Sequence, residues 1–301
     1  MTWPTLPQDV VDWVRKVIGY SNDHVTERIV NQPNIREVSL DDALINKIAQ
    51  YSAPKRLASG AVVMLEVHNI GGLRHFYRWE LADIAFLIHV SLRGEPLEQK
   101  IGLLQSKRLY PENFDVDQRD PIRFMEGMNG LLQPFDRNTL SAFARKYEFT
   151  SKSTYGAIKQ SDEQLERIID FHDKFDNAVY YLLYNPSVIP FETEIPNAAY
   201  DVIASPEEGA RVVTVETIAK SISQKTIGFR GPNLKSIKKI ANKDYWRLET
   251  WVADLLLGCK VGRRYTKEDE ELVGSLLVRR SGPISAAIRI NIDLADFKGL
   301  D

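Results

Sequence analysis

Apolar positions follow helical spacing in the first fifty residues of the chain and form strand-like runs after them. Apolar residues predict a helix over about residues 8–20, and a second short helical stretch follows it and ends at the turn residues 32–34. The segment REVSLDDALINKIAQY predicts another helix, in which Ser39 and Asp42 resemble a capping box. The run AVVMLEV, at residues 61–67, then predicts a strand.

Two further apolar runs, AFLIHV and IGLLQ, are joined by a polar connection that contains glycine, which predicts a β-hairpin. The element order to this point is therefore α, β, β, β. From about residue 121 to 183 the pattern becomes helical, most clearly in SDEQLERIIDFHDKFDNAVYYLLYN, and the end of this stretch, YYLLYN, also predicts the next strand. A helix that returns to a strand beside a hairpin is the crossover expected of an α/β/α sandwich.

Beyond Pro196, short strands (ARVVTVE, ISAAIRINI) alternate with helices (DYWRLETWVADLLLG, KEDEELVGSLLV). We expect an α/β protein, an α/β/α sandwich with a mixed central sheet followed by a C-terminal α+β extension. Proline and glycine cluster between residues 190 and 210, which favours a boundary between a core at 1–195 and a basic C-terminal region at 196–301. The second region can equally be a long excursion from a single domain.

The composition excludes several classes of site. The single cysteine, Cys259, excludes an intrachain disulfide and a cysteine-rich zinc site. The sequence contains no HExxH, GxSxG, Walker A or GxGxxG motif. The N-terminal segment lacks the pattern of a signal peptide, and no window has the apolar length needed to cross a bilayer. We therefore expect a cytoplasmic protein without a membrane partner.

The hairpin within Trp79–Arg108 holds the most informative polar residues. Asp83 opens its first apolar run, and Gln105, Ser106 and Lys107 end the second. A carboxylate at the start of one hairpin strand can lie beside residues at the end of its partner, and a strand points Gln105 and Lys107 to one face. This arrangement gathers oxygen donors and an ammonium group, which suits a divalent metal ion, a phosphate and an attacking water.

These residues resemble the PD-(D/E)XK nuclease superfamily, in the variant whose second half reads QXK, as in Mrr-like restriction enzymes. In the resemblance Asp83 matches the first acid, Gln105 the substituted acid and Lys107 the lysine. It covers about residues 30–110 in motif and extends more loosely to about residue 190. The chain departs from the family pattern before Asp83, where Ala82 replaces the proline.

The resemblance implies a site for Mg²⁺ or Mn²⁺. Asp83 would be the principal ligand, with the Gln105 amide and the Ser106 carbonyl beside it, and Lys107 would orient or deprotonate the water and stabilise charge. Relatives place a further glutamate on the first helix, which makes Glu37 the preferred second acid. Four other acids compete for this role, Glu66 being the least favoured: Asp41, Asp42, Glu80 and Glu66.

Basic residues are concentrated in the C-terminal part of the chain. Between Arg211 and Arg264 there are twelve Lys and Arg against four Asp and Glu, although the whole chain has a net charge of −2. A cationic stripe can follow a phosphate backbone, but LKSIKKIANK also fits an ordinary solvated face of an amphipathic helix. The candidate nucleic-acid contacts are Arg108, Arg230, Lys235, Lys238 and Lys239.

The resemblance implies a metal-dependent nuclease that acts on DNA in preference to RNA, in restriction or phage defence. A homodimer is expected, because cleavage of two strands usually requires two active sites. Two alternatives stay open. The chain can be an inactive nuclease fold that serves as a binding or scaffold protein, or a sensor whose basic C-terminal part binds a nucleotide or partner.

Overall fold

A computed structural model describes seven ranges of the chain: residues 3–70, 81–112, 145–158, 163–195, 207–223, 231–277 and 284–294. Its α-helices are α1 (Gln8–Asn31), α2 (Glu37–Ala49), α3 (Glu163–Lys174), α4 (Val215–Ser223), α5 (Leu234–Ala241), α6 (Leu248–Thr250) and α7 (Glu270–Leu277). A π-helix at Trp251–Leu256 continues α6, and 3₁₀ turns lie at Asn242–Asp244 and Lys267–Asp269.

The strands are β1 (Lys55–Arg56), β2 (Val62–Asn69), β3 (Ala82–Leu92), β4 (Glu95–Arg108), β5 (Arg145–Phe149), β6 (Val179–Tyr184), β7 (Phe191–Ile195), β8 (Arg211–Thr214), β9 (Trp246–Arg247), β10 (Arg263–Arg264) and β11 (Ile284–Asp293). Nine of them form a mixed sheet in the order β1-β2-β11-β3-β4-β6-β8-β9, with β10 paired to β4. Strands β5 and β7 form a separate pair. The expected α/β class with a mixed central sheet and flanking helices is confirmed.

The predicted hairpin is formed by β3 and β4, which pair antiparallel through a two-residue loop. Arg93 and Gly94 occupy that loop with φ of 54° and 80°. Positive φ at both positions is the signature of the type I′ turn, whose twist matches that of the strands. The register shifts by one residue between Val90 and Ser91, beyond the turn. After this shift Ile84 lies opposite Leu104, and one step further Asp83 lies opposite Gln105.

The predicted crossover is also present. The chain leaves β4, passes through α3 and returns in β6, which runs parallel to β4 with Gln105 beside Tyr181 and Arg108 beside Tyr184. All six residues of β6 are buried, as expected of a strand covered on both faces. Since parallel strands end at the same edge of a sheet, the last residues of β4 and β6 lie together.

Strand β11, from the C-terminal region, lies between β2 and β3 in the middle of the sheet. It pairs antiparallel with β2 over eight residue pairs and parallel with β3 over nine. Its residues Ile288 and Ile290 are fully buried. The C-terminal region and the N-terminal region therefore share one sheet and one hydrophobic core.

The two faces of the sheet carry different helices. On one face Trp251 contacts Phe86 with ring centroids 6.1 Å apart, and a Cβ added to Gly102 would meet Trp251 at 2.8 Å. The helices α1 and α6 pack together on this side. Odd-numbered residues of β3 and β4 point to the opposite face, where α3 and α7 lie.

Two predictions about the N-terminal helices were wrong. The helix at 8–20 and the stretch after it are one continuous helix, α1, through Asn31. Its polar middle is buried: the Ser21 hydroxyl donates to the Val17 carbonyl at 2.9 Å, and the Asn22 side chain bonds Glu249 and the backbone of Ala210. A bond within the helix for Ser21 and tertiary bonds for Asn22 satisfy polar groups that, in the sequence, resemble a break.

The predicted capping box is also absent. Helix α2 begins at Glu37 with Arg36 as its N-cap residue, so Ser39 lies within the first turn. An early helix start matters for the site because it places Glu37 in that first turn.

In the described part of the chain, no helix has the length and apolar character needed to cross a membrane.

Candidate active site at the edge of the central sheet

Asp83 and Gln105 face each other across the β3–β4 hairpin. The Gln105 Nε2 donates to Asp83 Oδ2, which also accepts the backbone N–H of Ser106 at 2.7 Å and lies 3.1 Å from Ser106 Oγ. Asp83 is partly buried and Gln105 is fully buried. The hairpin therefore brings together the acid and the glutamine that the sequence singled out.

Glu37 and Lys107 form an ion pair beside this contact. Lys107 Nζ lies 3.2 Å from Glu37 Oε1, and the side chain of Lys107 is 7 % exposed. Glu37 Oε2 accepts the backbone N–H of Arg108 at 2.9 Å, so the first turn of α2 is fixed to the end of β4. The structure thus brings Glu37 from α2 and Lys107 from β4 to the same edge of the sheet.

Asp41, a competing acid in the sequence, lies in the same cluster. Its Oδ1 accepts hydrogen bonds from Ser106 Oγ at 2.6 Å and from the Tyr184 hydroxyl at 2.7 Å. Tyr184 is a member of the site that sequence reasoning missed. The available signal was its position at the end of β6, since that strand runs parallel to β4 and ends at the same edge.

Burial controls the titration of this cluster. Loss of hydration raises the pKa of Glu37, Asp41 and Asp83, and the negative charge of Asp83 raises the pKa of the other two further. Burial acts to lower the pKa of Lys107, but the carboxylates of Glu37 and Asp83 outweigh it and hold that pKa above its usual value. Lys107 is therefore a permanent cation at neutral pH in this arrangement.

The site offers oxygen donors of the type that Mg²⁺ and Mn²⁺ prefer. Within the described residues, Asp83 Oδ1 and Asp41 Oδ2 accept no hydrogen bond. Gln105, however, turns its amide nitrogen towards Asp83, and its Oε1 accepts from Gln164 Nε2 at 3.4 Å. No group of three or more His, Cys, Asp or Glu side chains in the described ranges is arranged to hold a metal ion.

The other acidic candidates lie apart from the cluster. Asp42 is exposed on α2. Glu66, on β2, lies opposite Arg289 of β11, with Arg289 Nη1 3.5 Å from its Oε2. Glu80 lies outside the described residues.

Arg108 is not presented to a substrate. It is 2 % exposed, and its guanidinium donates to the carbonyl oxygens of Pro33, at 2.5 Å, and Ile35. These bonds fix the segment that leads into α2. The expected phosphate contact of Arg108 is therefore corrected to a structural role, because its side chain is buried and bonded to the segment that precedes α2.

The basic helix α5 has an exposed cationic side. Lys235, Lys238 and Lys239 are exposed, whereas Leu234 and Ile237 are buried, so the helix is amphipathic. Lys238 forms an ion pair with the buried Glu208, which reduces its availability to a phosphate. Arg230 lies outside the described residues.

Comparison with known proteins identified no relative of this chain. No protein-family model matches the chain, and neither the curated proteins nor the solved structures give a match. The resemblance to the PD-(D/E)XK superfamily therefore rests on the residues of the hairpin and on their placement alone.

Proposed function

We propose that this protein is a metal-dependent nuclease with a restriction-endonuclease-like core. The observation that supports this most is the convergence of Asp83, Lys107 and Glu37 from β3, β4 and α2 at one edge of the sheet. A buried ammonium beside partly buried carboxylates is costly unless the charges are paired or used, and a phosphodiester substrate with a divalent cation would use both signs of charge.

Each residue has a role in this proposal. Asp83 and the Ser106 carbonyl would hold the cation. Glu37 would join them by exchanging its contact with Lys107, and Gln105 would contribute its amide oxygen after a half-turn of the amide group. At this place Mg²⁺ or Mn²⁺ would supply Lewis-acid chemistry to a phosphodiester and to water. Lys107, which stays protonated, stabilises the negative charge that develops on the phosphate, and does not act as the base.

The proposed substrate is a nucleic acid. DNA is preferred over RNA, a homodimer would bring together two sites for two strands, and restriction or phage defence would be the context of such an enzyme. Lys235 and Lys239 on α5 are exposed cations that suit contacts to phosphates, which bind without reading sequence.

The experiment is cleavage of plasmid DNA and single-stranded RNA with Mg²⁺, Mn²⁺ or EDTA. Asp83→Asn keeps the shape of the side chain and removes its charge, and Lys107→Met removes the ammonium. We expect metal-dependent cleavage by the wild type and a loss of at least about 10²-fold in each variant. Lys174→Ala, which changes an exposed lysine of α3, is the control and should cleave normally.

Thermal unfolding of each variant separates a loss of chemistry from a loss of fold. Wild-type cleavage by folded Asp83→Asn or Lys107→Met protein would remove the nuclease assignment.

A second candidate function is a non-catalytic binding protein that keeps this fold. Its support is the hydrogen-bond network itself, because Gln105 and Ser106 satisfy Asp83 Oδ2 without a cation. Calorimetric titration with Mn²⁺ separates the two. A nuclease site binds Mn²⁺ and loses it in Asp83→Asn, whereas a closed network gives the same heat for both proteins.

A further inference from the structure

A concave site lies on the face of the sheet to which Asp83 and Gln105 point. It has a volume of about 500 Å³ and lies between the sheet and helix α7. Leu87 of β3 and Ala287 of β11 form its floor, and Val273 and Leu277 of α7 form the opposite wall. This open slot, with apolar side chains on the sheet side and on the helix side, has room for a flat group.

Gly274 opens this slot on the side of the helix. A Cβ added to Gly274 would meet nothing within 4 Å, and the residue lines the cavity between Val273 and Leu277. A side chain at this lining position would therefore have free space to occupy.

The polar groups of the slot have a defined hydrogen-bond direction. Arg289 Nη2 lies 3.3 Å from His89 Nδ1, and because arginine only donates, Nδ1 must be the acceptor. Burial lowers the pKa of His89 to about 4, so the ring is neutral at pH 7 and carries its proton on Nε2. That N–H donates to the Tyr265 oxygen at 2.9 Å.

The hydroxyl of Tyr265 can therefore donate its own proton to an acceptor other than His89. Tyr265 is 6 % exposed, and its hydroxyl has no acceptor among the described residues. Burial raises its pKa to about 12, which keeps that proton in place at neutral pH. The Nε of Arg289 likewise has no partner in the described ranges. A bound ligand with an acceptor atom would give a hydrogen-bond partner to a buried donor that has none in the described ranges.

The charge around the slot favours a neutral ligand. The cation of Arg289 lies 3.5 Å from the Glu66 carboxylate, and Glu270 adds a second carboxylate to the lining. A phosphate or another strong anion would meet these carboxylates. A flat neutral group that both accepts and donates fits better, since the Gln99 amide can also bond to either kind of atom.

We propose that this slot binds a nucleobase, stacked between the sheet and α7 and bonded to the Tyr265 hydroxyl. The base can belong to a free nucleoside or to a nucleic-acid strand, and the second form rests on the proposed nuclease function. Leu87 and Asp83 lie on the same face of β3 and four residues apart, roughly 13 Å at about 3.3 Å per residue. A strand whose phosphate lies at Asp83 therefore has neighbouring bases within reach of the slot.

The test is calorimetric titration of the full chain in EDTA with adenosine, guanosine, cytidine and uridine. We expect at least one nucleoside to bind with a dissociation constant below about 1 mM. Gly274→Leu fills the slot and should abolish binding, and Tyr265→Phe should weaken it about tenfold. The matched control is Ser275→Leu, which places the same side chain on the exposed side of α7 and should bind as the wild type does.

A second arm identifies the source of the base. Binding of a single-stranded oligonucleotide is measured in EDTA, with and without the best nucleoside as competitor. Competition that is lost in Gly274→Leu assigns the slot to a base of the strand, and nucleoside binding without competition assigns it to a free nucleoside. The proposal is overturned by absence of nucleoside binding up to about 10 mM, or by binding that survives Gly274→Leu. Neither readout requires cleavage, so an inactive protein still tests the slot.

Discussion

At the scale of single residues, the candidate site brings the carboxyl groups of Asp41 and Asp83 to one hydroxyl, that of Ser106. Ser106 Oγ lies 2.6 Å from Asp41 Oδ1 and 3.1 Å from Asp83 Oδ2, yet a hydroxyl has only one proton to donate. Burial and mutual repulsion raise the pKa of Asp41 well above its usual range. A carboxyl group that retains its proton satisfies this geometry, and a bound cation would displace that proton.

Asp41→Asn is predicted to change the pH dependence of stability. Because the folded-state pKa of Asp41 is raised, its contribution is fully present below the unfolded value near 3.8 and is lost as pH rises through the folded pKa. Asparagine does not titrate and still accepts from Ser106 and Tyr184. The melting temperature of Asp41→Asn relative to wild type should therefore increase from pH 5 to pH 8.

Thermal unfolding over that pH range measures this difference, with the exposed Asp42→Asn as control. A difference that stays constant with pH, or that falls, would show that Asp41 ionises normally in the folded protein.

At the scale of elements, strand β4 connects the core to the site. Gly102 of β4 packs directly under the fully buried Trp251 of the π-helix, and three positions later the same strand reaches Gln105. The close approach requires the absence of a side chain, because an added Cβ would lie 2.8 Å from Trp251 and 3.0 Å from Leu256. Packing on one face of β4 thereby fixes the position of the strand, and with it the position of the polar residues on the other face.

Gly102→Ala is predicted to destabilise the protein by about 1–3 kcal/mol through overpacking against Trp251. The matched substitution Gly274→Ala, in α7, meets open space and should stabilise by about 0.5–1 kcal/mol, since alanine is the better helix former. Urea unfolding of both variants gives the two free energies. Equal effects would contradict the assigned packing of both glycines.

At the scale of the whole molecule, strand β11, which lies late in the sequence, completes the middle of the central sheet. Strand β11 fills the position between β2 and β3, which are themselves neighbours in sequence. Without it, each of those strands would present an unpaired edge, and exposed edges promote aggregation. The acidic cluster at the start of β3 therefore depends on residues about two hundred positions later.

A fragment of residues 1–195 is accordingly predicted not to fold by itself. Circular dichroism should show the loss of sheet signal and of a cooperative melting transition, and light scattering should show aggregation. Addition of a separate fragment of residues 196–301 should restore part of the sheet signal by supplying β11. A monomeric, cooperatively folded 1–195 fragment would contradict this prediction and would make the C-terminal region a separate unit.

Local patterns in the sequence were sufficient for the strands β2, β3, β4 and β6 and for the contact between Asp83 and Gln105. Apolar runs identify strands because burial is a property of neighbouring residues, and Asp83 and Gln105 stand at the start and the end of two such runs. The turn at Arg93 and Gly94 does not by itself fix their register, because the pairing shifts by one residue between Val90 and Ser91. The same locality explains the error at α1, because the partners of Asn22 are Ala210 and Glu249, far along the chain.

Only the tertiary structure decided which distant residues join the site. It added Tyr184, placed Asp41 on Ser106, turned Arg108 inward to Pro33 and inserted β11 into the sheet. Each of these contacts joins residues more than sixty positions apart, and no periodicity records such pairings, because they arise from chain packing and not from local conformation. The sequence by itself determined which polar residues the hairpin carries, and the tertiary fold determined which distant residues contact them.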